Sequence, residues 1–468
     1  MNQEPSMSPR LTRRQALAGA AALGAAPVVL GSGTAAAATG HRAPDDIRAM
    51  LREIDPANIK RTILKLVSFG TRNTLSAQDD PHRGIGAARD WLLEEFKKAA
   101  EPSGGRMTVE AQSFVQPVTP PRIPVPTPIT NIVATLRGGQ AESAGRTYVV
   151  SGHYDSMPTS VTDFTSDAPG ANDDASGVAA VLEMARVMAT RHFDATIVFM
   201  AVAGEEQGLV GSTYFAQQAK QQNLNIAGMF TNDIIGSSVG QNGITDPYSV
   251  RIFAEGLAST PAPVEADWRS YGGETESVSR QLARYVKEVA ENDATRMRVN
   301  IIYRRDRFGR GGDHIPFLEQ GYAAARFCET NEDWRHQHQN VRVENGVQIG
   351  DLPEFVDYDY CARVARVNAI ALTSLAQAPA APAGVLMNVA GFQTDTALSW
   401  TAGTEPDLAG YEVVMRSTTE PVWRKTIEVG NVTSVSLKNI FKDNYFFGVR
   451  AVDKAGNRSP VSFPRPAR

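Results

Sequence analysis

Short apolar runs alternate with amphipathic segments along most of this chain. Runs that predict buried strands end at Leu136, Ser151 and Val202, and each is too short for a helix. Between the last two runs, apolar residues at helical spacing predict a helix that begins near Ser176. A second helix is expected after the last run, over 214–221. This alternation predicts an α/β domain with a mostly parallel, or mixed, sheet flanked by helices.

The pattern changes near residue 376. The α/β domain is expected over 45–376 and closes with an amphipathic helix. Residues 377–384 are uncharged and rich in Pro and Ala, which predicts a stiff linker. Residues 385–468 then show short alternating strands, and Trp400 and Tyr445 fit a small β-sandwich with a tyrosine corner. This last part resembles a fibronectin type III domain. Its partner could be a polymer or another protein, and the sequence does not decide between them.

The N-terminus carries a targeting pattern. Thr12-Arg13-Arg14-Gln15-Ala16-Leu17 is a twin-arginine signature, and a mildly apolar stretch follows it. Small residues at Ala36 and Ala38 offer a cleavage point, so residues 1–38 are expected to be a signal peptide. The stretch is Gly-rich and interrupted by Pro27, unlike a membrane anchor. The expected protein is therefore secreted by the twin-arginine route and has no membrane span.

Charge and cysteine count exclude several classes of function. The 468 residues carry a formal net charge of −4 at pH 7 without a basic run, which argues against a nucleic-acid partner. Cys328 and Cys361 are the two cysteines, too few for a thiolate zinc site or a disulfide scaffold. They could form one bridge or remain buried thiols, and the sequence does not choose between these states.

Six residues with metal chemistry stand beside strand-like or helical segments. In chain order they are His153, Asp173, Glu205, Glu206, Asp233 and His314. Open α/β sheets gather the carboxyl ends of their strands at one edge, so such positions converge in space. Imidazole nitrogens and carboxylate oxygens are ligands that zinc accepts. The adjacent carboxylates of Glu205 and Glu206, at the end of a buried strand, are costly unless they bind a cation.

Each of these residues alone has a structural explanation. His153 and Asp155 lie two positions apart on a strand and share a face, so Asp155 could accept the second imidazole N–H of a metal-bound His153. The same pair could also be a strand-end histidine beside a solvated carboxylate. Asp173 opens a helix and could be only its cap. It is the complete set that predicts a metal site.

The motifs around these residues resemble those of the co-catalytic dizinc aminopeptidases. The matching segments are His153-Tyr154-Asp155-Ser156, Asn172-Asp173-Asp174-Ala175-Ser176-Gly177, Gly204-Glu205-Glu206-Gln207-Gly208-Leu209, Asn232-Asp233 and Asp313-His314-Ile315-Pro316-Phe317. The superfamily also contains glutamate carboxypeptidases, glutaminyl cyclases and a receptor branch. The resemblance covers about residues 45–377 and implies the zinc-peptidase type of α/β fold.

The resemblance assigns a role to each matched residue. The implied ligands of two zinc ions per chain are His153, Asp173, Glu206, Asp233 and His314. Asp173 would bridge the ions, with His153 and Asp233 on one ion and the other two ligands on the second. Asp155 would support the imidazole and Glu205 would be the general base, so these two are the predicted catalytic residues. Two zinc ions would polarise the scissile carbonyl and lower the pKa of a shared water, whose proton Glu205 would accept.

Two local features also follow from the resemblance. Family members have a cis peptide bond where Asp173 and Asp174 stand here. They often carry Ser or Tyr at the position of Gly312, so the oxyanion-stabilising tyrosine of some relatives has no counterpart in this chain.

The predicted activity is that of a zinc exopeptidase acting on peptides, most simply an aminopeptidase. The alternative is a metallocarboxypeptidase, but those relatives usually carry an inserted domain, and His153 and Asp173 lie only 20 positions apart. A glutaminyl cyclase would need one zinc ion, and a receptor or scaffold would have lost its ligands. A serine hydrolase pattern also occurs over 236–240, yet turn residues follow it where a nucleophile elbow needs a helix.

The region before His314 is expected to shape the substrate pocket, over about residues 237–307. Within it, the charged segments 267–269 and 304–307 could engage a peptide terminus or could be solvated loops. Four further residues could line the cleft but are not expected to be ligands: Glu329, Trp334, His336 and His338.

Overall fold

The computed structural model describes residues 43–258 and 263–467. The predicted signal peptide, residues 1–38, lies outside the described residues. The α-helices are α1 Asp45–Arg52, α2 Pro56–Val67, α3 Ile85–Ala100, α4 Ala175–Met188, α5 Val210–Gln221, α6 Pro263–Arg269, α7 Val278–Ala290, α8 His314–Glu319 and α9 Tyr358–Gln377. The strands are β1 Met107–Gln116, β2 Thr127–Leu136, β3 Arg146–His153, β4 Thr196–Val202, β5 Asn225–Asn232, β6 Ser249–Ala254, β7 Arg298–Ile302, β8 Ala324–Glu329, β9 Arg342–Glu344, β10 Val347–Ile349, β11 Leu386–Asn388, β12 Thr396–Ser399, β13 Leu408–Ser417, β14 Lys425–Gly430, β15 Ser434–Leu437, β16 Tyr445–Asp453 and β17 Arg465–Ala467.

The main sheet is mixed, which confirms the predicted fold class. Its eight strands lie in the order β1-β2-β4-β3-β5-β8-β6-β7. Strands β4, β3, β5 and β8 are parallel to their neighbours at the centre. On one side β2 and β1 are antiparallel, and on the other β6 is antiparallel to β8 and parallel to β7. The carboxyl ends of the four central strands therefore meet at one edge.

Strand β4 shows why the central strands are apolar at every position. Ile197 and Phe199 belong to the large apolar cluster that includes helices α2, α4 and α9. Val198 and Met200 belong to a second cluster on the other face, together with Phe317 of α8. A strand covered by helices on both faces needs apolar side chains at both odd and even positions. The continuous runs in the sequence are the result.

Residues 385–467 form two small sheets around one apolar cluster. Their strand orders are β15-β12-β11-β17 and β14-β13-β16, and Trp400 and Tyr411 meet edge-on in the shared cluster with ring centroids 5.3 Å apart. The hydroxyl of Tyr411 accepts a hydrogen bond from Gly403 N at 2.7 Å. Tyr445, by contrast, is 38% exposed, so the tyrosine that ties back to the backbone is Tyr411.

Buried ion pairs join this sandwich to the α/β domain. The fully buried Glu276 lies 2.9 Å from Arg284 Nη1 and also pairs with Arg416 of β13. Arg146, the first residue of β3, lies 3.3 Å from Glu405. Both parts accordingly belong to one compact unit. The sandwich is docked, although the linker composition alone suggested a spacer.

Cys328 and Cys361 are free thiols, and both are fully buried. Burial raises the pKa of Cys328 to about 12. Within the part of the chain that the structure describes, no helix has the length and apolarity needed to cross a membrane.

Candidate metal centre

The predicted ligands collect at the carboxyl edge of the central strands. His153 is the last residue of β3, and Asp233 directly follows β5. Glu205 and Glu206 stand in the turn between β4 and α5, and Asp173 lies just before α4. Parallel strands end at the same level of the sheet, which brings these distant residues together as the sequence predicted.

Two groups of three ligands share one carboxylate. His153 Nε2 lies 3.1 Å from Asp173 Oδ1 and 4.0 Å from Asp233 Oδ1. The other oxygen, Asp173 Oδ2, lies 2.9 Å from His338 Nε2, which is 3.2 Å from Glu206 Oε1. In each group the candidate ligand atoms lie within 4.8 Å of one another. Asp173 thus stands where a carboxylate that bridges two cations would stand.

Asp155 ties the imidazole of His153 to the turn after β4. His153 Nδ1 lies 3.1 Å from the backbone carbonyl oxygen of Asp155 and 3.6 Å from its carboxylate Oδ1. That Oδ1 accepts a hydrogen bond from Glu205 N at 3.2 Å. The other accepts hydrogen bonds from Glu206 N at 3.1 Å and from Thr74 Oγ1 at 3.1 Å. Asp155 therefore orients one candidate ligand through its ring and another through its backbone, as carboxylates behind metal-bound histidines do.

The two adjacent aspartates divide their work. Their peptide bond is cis, as the family resemblance implies. Asp174 caps α4 by accepting from Gly177 N at 2.9 Å, and it also accepts from His153 N at 3.0 Å. Asp173 keeps both oxygens at the ligand cluster, while its own N–H donates to Asp351 Oδ2 at 2.7 Å. Asp351 is a buried support that sequence reasoning did not identify.

The electrostatics of the cluster call for a cation. Burial disfavours an imidazolium, but neighbouring carboxylates outweigh it and raise the pKa of His153 and of His338 well above the usual value. Burial, together with the nearby Glu206, raises the pKa of Glu205 well above its usual value. Glu206 Oε1 is buried and makes no hydrogen bond with the described residues. Buried imidazole nitrogens and carboxylate oxygens gathered in this way fit a zinc site.

Comparison with known proteins agrees with this chemistry. The family model for peptidase family M28 matches residues 131–343. A probable zinc metalloprotease of Leptosphaeria maculans is 51% identical over 423 residues, which cover 90% of this chain and 97% of the relative. The chain belongs to peptidase family M28. A probable zinc metalloprotease of Pyricularia oryzae is also 51% identical, over 90% of this chain and 85% of that protein.

The M28 chain is accordingly a zinc metalloprotease, and the resemblance found in its motifs is confirmed at the level of the family. Among solved structures, LapA of Legionella pneumophila matches with a TM-score of 0.52 and 21% identity. The match covers 72% of this chain and 78% of LapA. At that identity the likeness supports the fold.

The structure contradicts the prediction that His314 is a ligand of the M28 site. His314 begins α8, is fully buried, and its Nε2 lies 2.8 Å from Arg305 O. Burial lowers the pKa of this histidine to about 4. Helix α8 packs with α5 on one face of the sheet, where Phe317 and Phe215 have ring centroids 5.9 Å apart. His314 therefore serves packing and belongs to none of the candidate ligand groups.

His338 takes the place predicted for His314. It stands in the loop before β9 with a φ of 49°, and its approach to Asp173 and Glu206 completes the second group. The available signal was the His336-Gln337-His338 tract. His336 stacks on Phe355 with ring centroids 3.6 Å apart. His338 is therefore the histidine of this tract that completes the second candidate group.

Arg326 holds Asp233 from behind. This fully buried arginine lies 2.8 Å from Asp233 Oδ1 and 3.0 Å from Asp306 Oδ2. It also donates to Gly311 O. Gly312 follows so closely that a Cβ there would lie 3.3 Å from Asp233 Oδ2. Little room thus remains for the Ser or Tyr that many relatives carry before the histidine.

A cleft of about 360 Å³ opens onto the ligands. Its lining residues are Arg122, Met157, Asp173, Glu205, Glu206, Gly208, Leu209, Asp233, Arg307, Gly309, Arg310, Gly311 and His338. Of the region predicted to shape the pocket, residues 237–307, only Arg307 at its end lines this cleft. The elements β6, α7 and β7 of that region instead extend the main sheet and its core. The 267–269 segment lies elsewhere: Trp268 packs edge-on against Phe463 of the sandwich at 5.7 Å.

Two other features of the chain, a larger cavity and a serine hydrolase pattern, do not support a different active site. A larger cavity of about 470 Å³ lies between the α/β domain and the sandwich, but none of the candidate ligands lines it. Within the serine hydrolase pattern, Ser238 Oγ donates to Asp357 at 2.7 Å. The next element is strand β6, so the strand-to-helix elbow of a serine hydrolase is missing from this described segment.

Proposed function

We propose that this metalloprotease is a secreted dizinc aminopeptidase that removes N-terminal residues from peptides. The observation that carries the proposal is the pair of ligand groups joined by Asp173, with Glu205 beside them. The groups are His153 with Asp173 and Asp233, and Glu206 with Asp173 and His338. These five residues would hold two zinc ions.

Glu205 is our candidate for the general base. Zinc, when bound, supplies a Lewis acid that polarises the scissile carbonyl and makes water more acidic. Glu205 is only partly buried, whereas its neighbour Glu206 is 4% exposed. This difference suits Glu205 to the substrate side, where it would accept a proton from water and deliver it to the departing amine. Asp155 would keep the Glu205–Glu206 backbone in place during that transfer.

The short connection before Asp173 favours an aminopeptidase over a carboxypeptidase. Residues 154–174 join β3 to α4 without a helix or strand of their own. The inserted domain that carboxypeptidase relatives usually carry has no room there. The alternative activity therefore lacks the element with which those relatives build their substrate pocket.

The first test is mass spectrometry of a mixed peptide pool incubated with the zinc-loaded protein. Products shortened stepwise from the N-terminus support the proposal, and products shortened from the C-terminus would replace it with the carboxypeptidase. A second test uses Glu205→Gln, which should abolish turnover while zinc remains bound. Glu344→Gln, on the exposed strand β9, is the matched control and should change neither property. Loss of zinc in Glu205→Gln would make Glu205 a ligand.

Export by the twin-arginine route remains our proposal for the N-terminal segment. Its support is the Arg13-Arg14 pair and the small residues that follow. Replacing both arginines by lysine should hold the protein, with its leader uncleaved, inside the producing cell. Unchanged secretion of that variant would point to another route.

A further inference from the structure

The cleft over the candidate metal centre is lined by arginines as well as by carboxylates. Three arginines line it: Arg122, Arg307 and Arg310. Arg307 is neutralised, because Nη1 lies 2.7 Å from Glu332 and Nε lies 3.3 Å from Asp306. Arg307 is therefore part of the wall of the cleft.

Arg310 is different. Among residues 43–258 and 263–467, its guanidinium makes no ion pair or hydrogen bond; only its backbone N–H is engaged, with Arg307 O at 3.3 Å. Arg122 makes one side-chain hydrogen bond, to the carbonyl oxygen of Glu206, and has no carboxylate partner among the described residues. Two guanidinium groups thus face the cleft without a counter-charge.

The position of Arg310 is nevertheless well defined. The next residue, Gly311, has its carbonyl held by Arg326, the arginine that also holds Asp233. One residue further, a Cβ on Gly312 would lie 3.3 Å from Asp233 Oδ2. The backbone of Arg310 is therefore anchored to the same buried arginine as a metal ligand. Arg310 lines the same cleft as Asp173, Glu205 and Glu206, so a peptide bound there would come within its surroundings.

The carboxylates that line the cleft have other candidate counter-charges than Arg310 and Arg122. Four carboxylates line the cleft, those of Asp173, Glu205, Glu206 and Asp233, and two divalent ions would offset them. Arg326 is paired with Asp233 and Asp306. Arg310 and Arg122 line the same cleft and have no carboxylate partner among the described residues. A guanidinium has a planar fork of donors that matches a carboxylate in a bidentate fashion.

We propose that Arg310, with Arg122, binds a carboxylate of the substrate next to the scissile bond. The enzyme then prefers peptides that carry such a group, and this inference rests on the exopeptidase activity proposed above. One source of the carboxylate is an acidic side chain in one of the first two residues. The other source is the free C-terminus of a dipeptide. Both present the same chemistry to the arginines.

The test compares kcat/KM for a small set of matched peptides. Leu-Ala-amide is the neutral reference. Asp-Ala-amide and Leu-Asp-amide place the carboxylate on the first or the second side chain, and Leu-Ala with a free C-terminus places it on the main chain. We expect at least one of the three anionic peptides to exceed the reference at least tenfold, and the peptide that does so identifies the source.

Substitutions at Arg310 then ask whether this residue is responsible. Arg310→Gln should reduce the anionic-to-neutral ratio at least tenfold, Arg310→Lys should retain part of it, and Arg310→Glu should shift preference toward Leu-Lys-amide. Arg304→Gln is the matched control, since Arg304 on the same loop stacks on Phe308 at 4.0 Å and does not line the cleft. Zinc content and melting temperature check that each variant is folded.

The possible failures are distinguishable. Equal kcat/KM for anionic and neutral peptides in the wild type, or an unchanged ratio in Arg310→Gln, would overturn the inference while leaving an aminopeptidase. If only peptides with a free C-terminus are cut, N-acetyl-Leu-Ala included, the aminopeptidase proposal fails. Carboxylate binding by Arg310 would then still be judged by the effect of Arg310→Gln on that peptide.

Discussion

Replacing His338 and His314 separately provides the sharpest test of the site. In the structure His338 belongs to the ligand cluster and His314 does not. We therefore predict that His338→Ala lowers bound zinc from two ions per chain to one. His314→Ala should keep both ions and instead lose stability. The two variants should therefore be distinguished by their zinc content and by their stability after zinc has been removed.

The magnitudes follow from burial and contacts. Even residues behind metal ligands change metal affinity by about 10–100-fold, so loss of His338 itself should weaken its ion at least that much. Stabilisation by bound zinc then falls by about 1.4–2.7 kcal/mol or more, because each tenfold change corresponds to about 1.4 kcal/mol. With zinc removed, the cost should be small, since the His338 side chain is 28% exposed.

For His314→Ala the balance is reversed. Its ring is fully buried, and its removal leaves a cavity as well as the carbonyl of Arg305 without its partner. Large-to-small changes and lost buried hydrogen bonds together cost about 2–5 kcal/mol. This loss should persist when zinc is removed, because the ring belongs to none of the candidate ligand groups.

Zinc per chain by plasma mass spectrometry and denaturant unfolding with and without chelator measure both effects. A His314→Ala protein that is folded but lacks one zinc ion would refute our assignment. So would a His338→Ala protein that retains two ions at wild-type affinity. Loss of both ions in His338→Ala would show that the two positions load together, and His338 would still be a ligand.

Further predictions concern the supports of the site and the interior. Asp155→Asn should lower zinc affinity or kcat/KM by about 10–100-fold, measured by chelator competition and peptide assay. Glu276→Gln should destabilise the whole chain by about 3–5 kcal/mol in denaturant unfolding, because it leaves two buried arginines uncompensated. Its control Glu288→Gln removes a half-exposed partner of Arg450 and should cost below about 1 kcal/mol; equal losses would contradict the reasoning. Neither Cys328 nor Cys361 should react with a thiol reagent at pH 8 until the protein is unfolded, since both are buried and burial raises the pKa of each. Rapid native labelling would show that one of them is accessible.

Much of the site could be predicted because continuous apolar runs show where the central strands end. His153 and Asp233 each follow a continuous apolar run, and the Glu205–Glu206 pair closes another. Such runs identify central strands, and central strands end at a common edge. The position of these residues in space therefore follows from pattern and topology alone.

His338 could not be located in that way. It lies in an irregular loop, so no periodic pattern relates it to the edge of the sheet. His314 stands in a motif-like context and was the natural choice, yet its fate is decided by tertiary packing of α8. The supports Asp351 and Arg326 were missed for the same reason, because they act through long-range hydrogen bonds and ion pairs. The segment that contains β6 and β7 was expected to shape the substrate pocket, but it extends the main sheet next to β8. No feature of the sequence distinguishes such an additional pair of strands.

The bond between the backbone of Asp173 and the carboxylate of Asp351 has a consequence for biosynthesis. The two residues are 178 positions apart, and ribosomes add about 5–20 residues per second, so roughly 10–35 s separate their synthesis. His338 is made in the same late stretch. During that interval the nascent chain has His153 and Glu206 but lacks the second imidazole and the support of Asp173. The group of His153, Asp173 and Asp233 is therefore synthesised well before the group that needs His338, and the proposed two-ion site can be completed only late in synthesis.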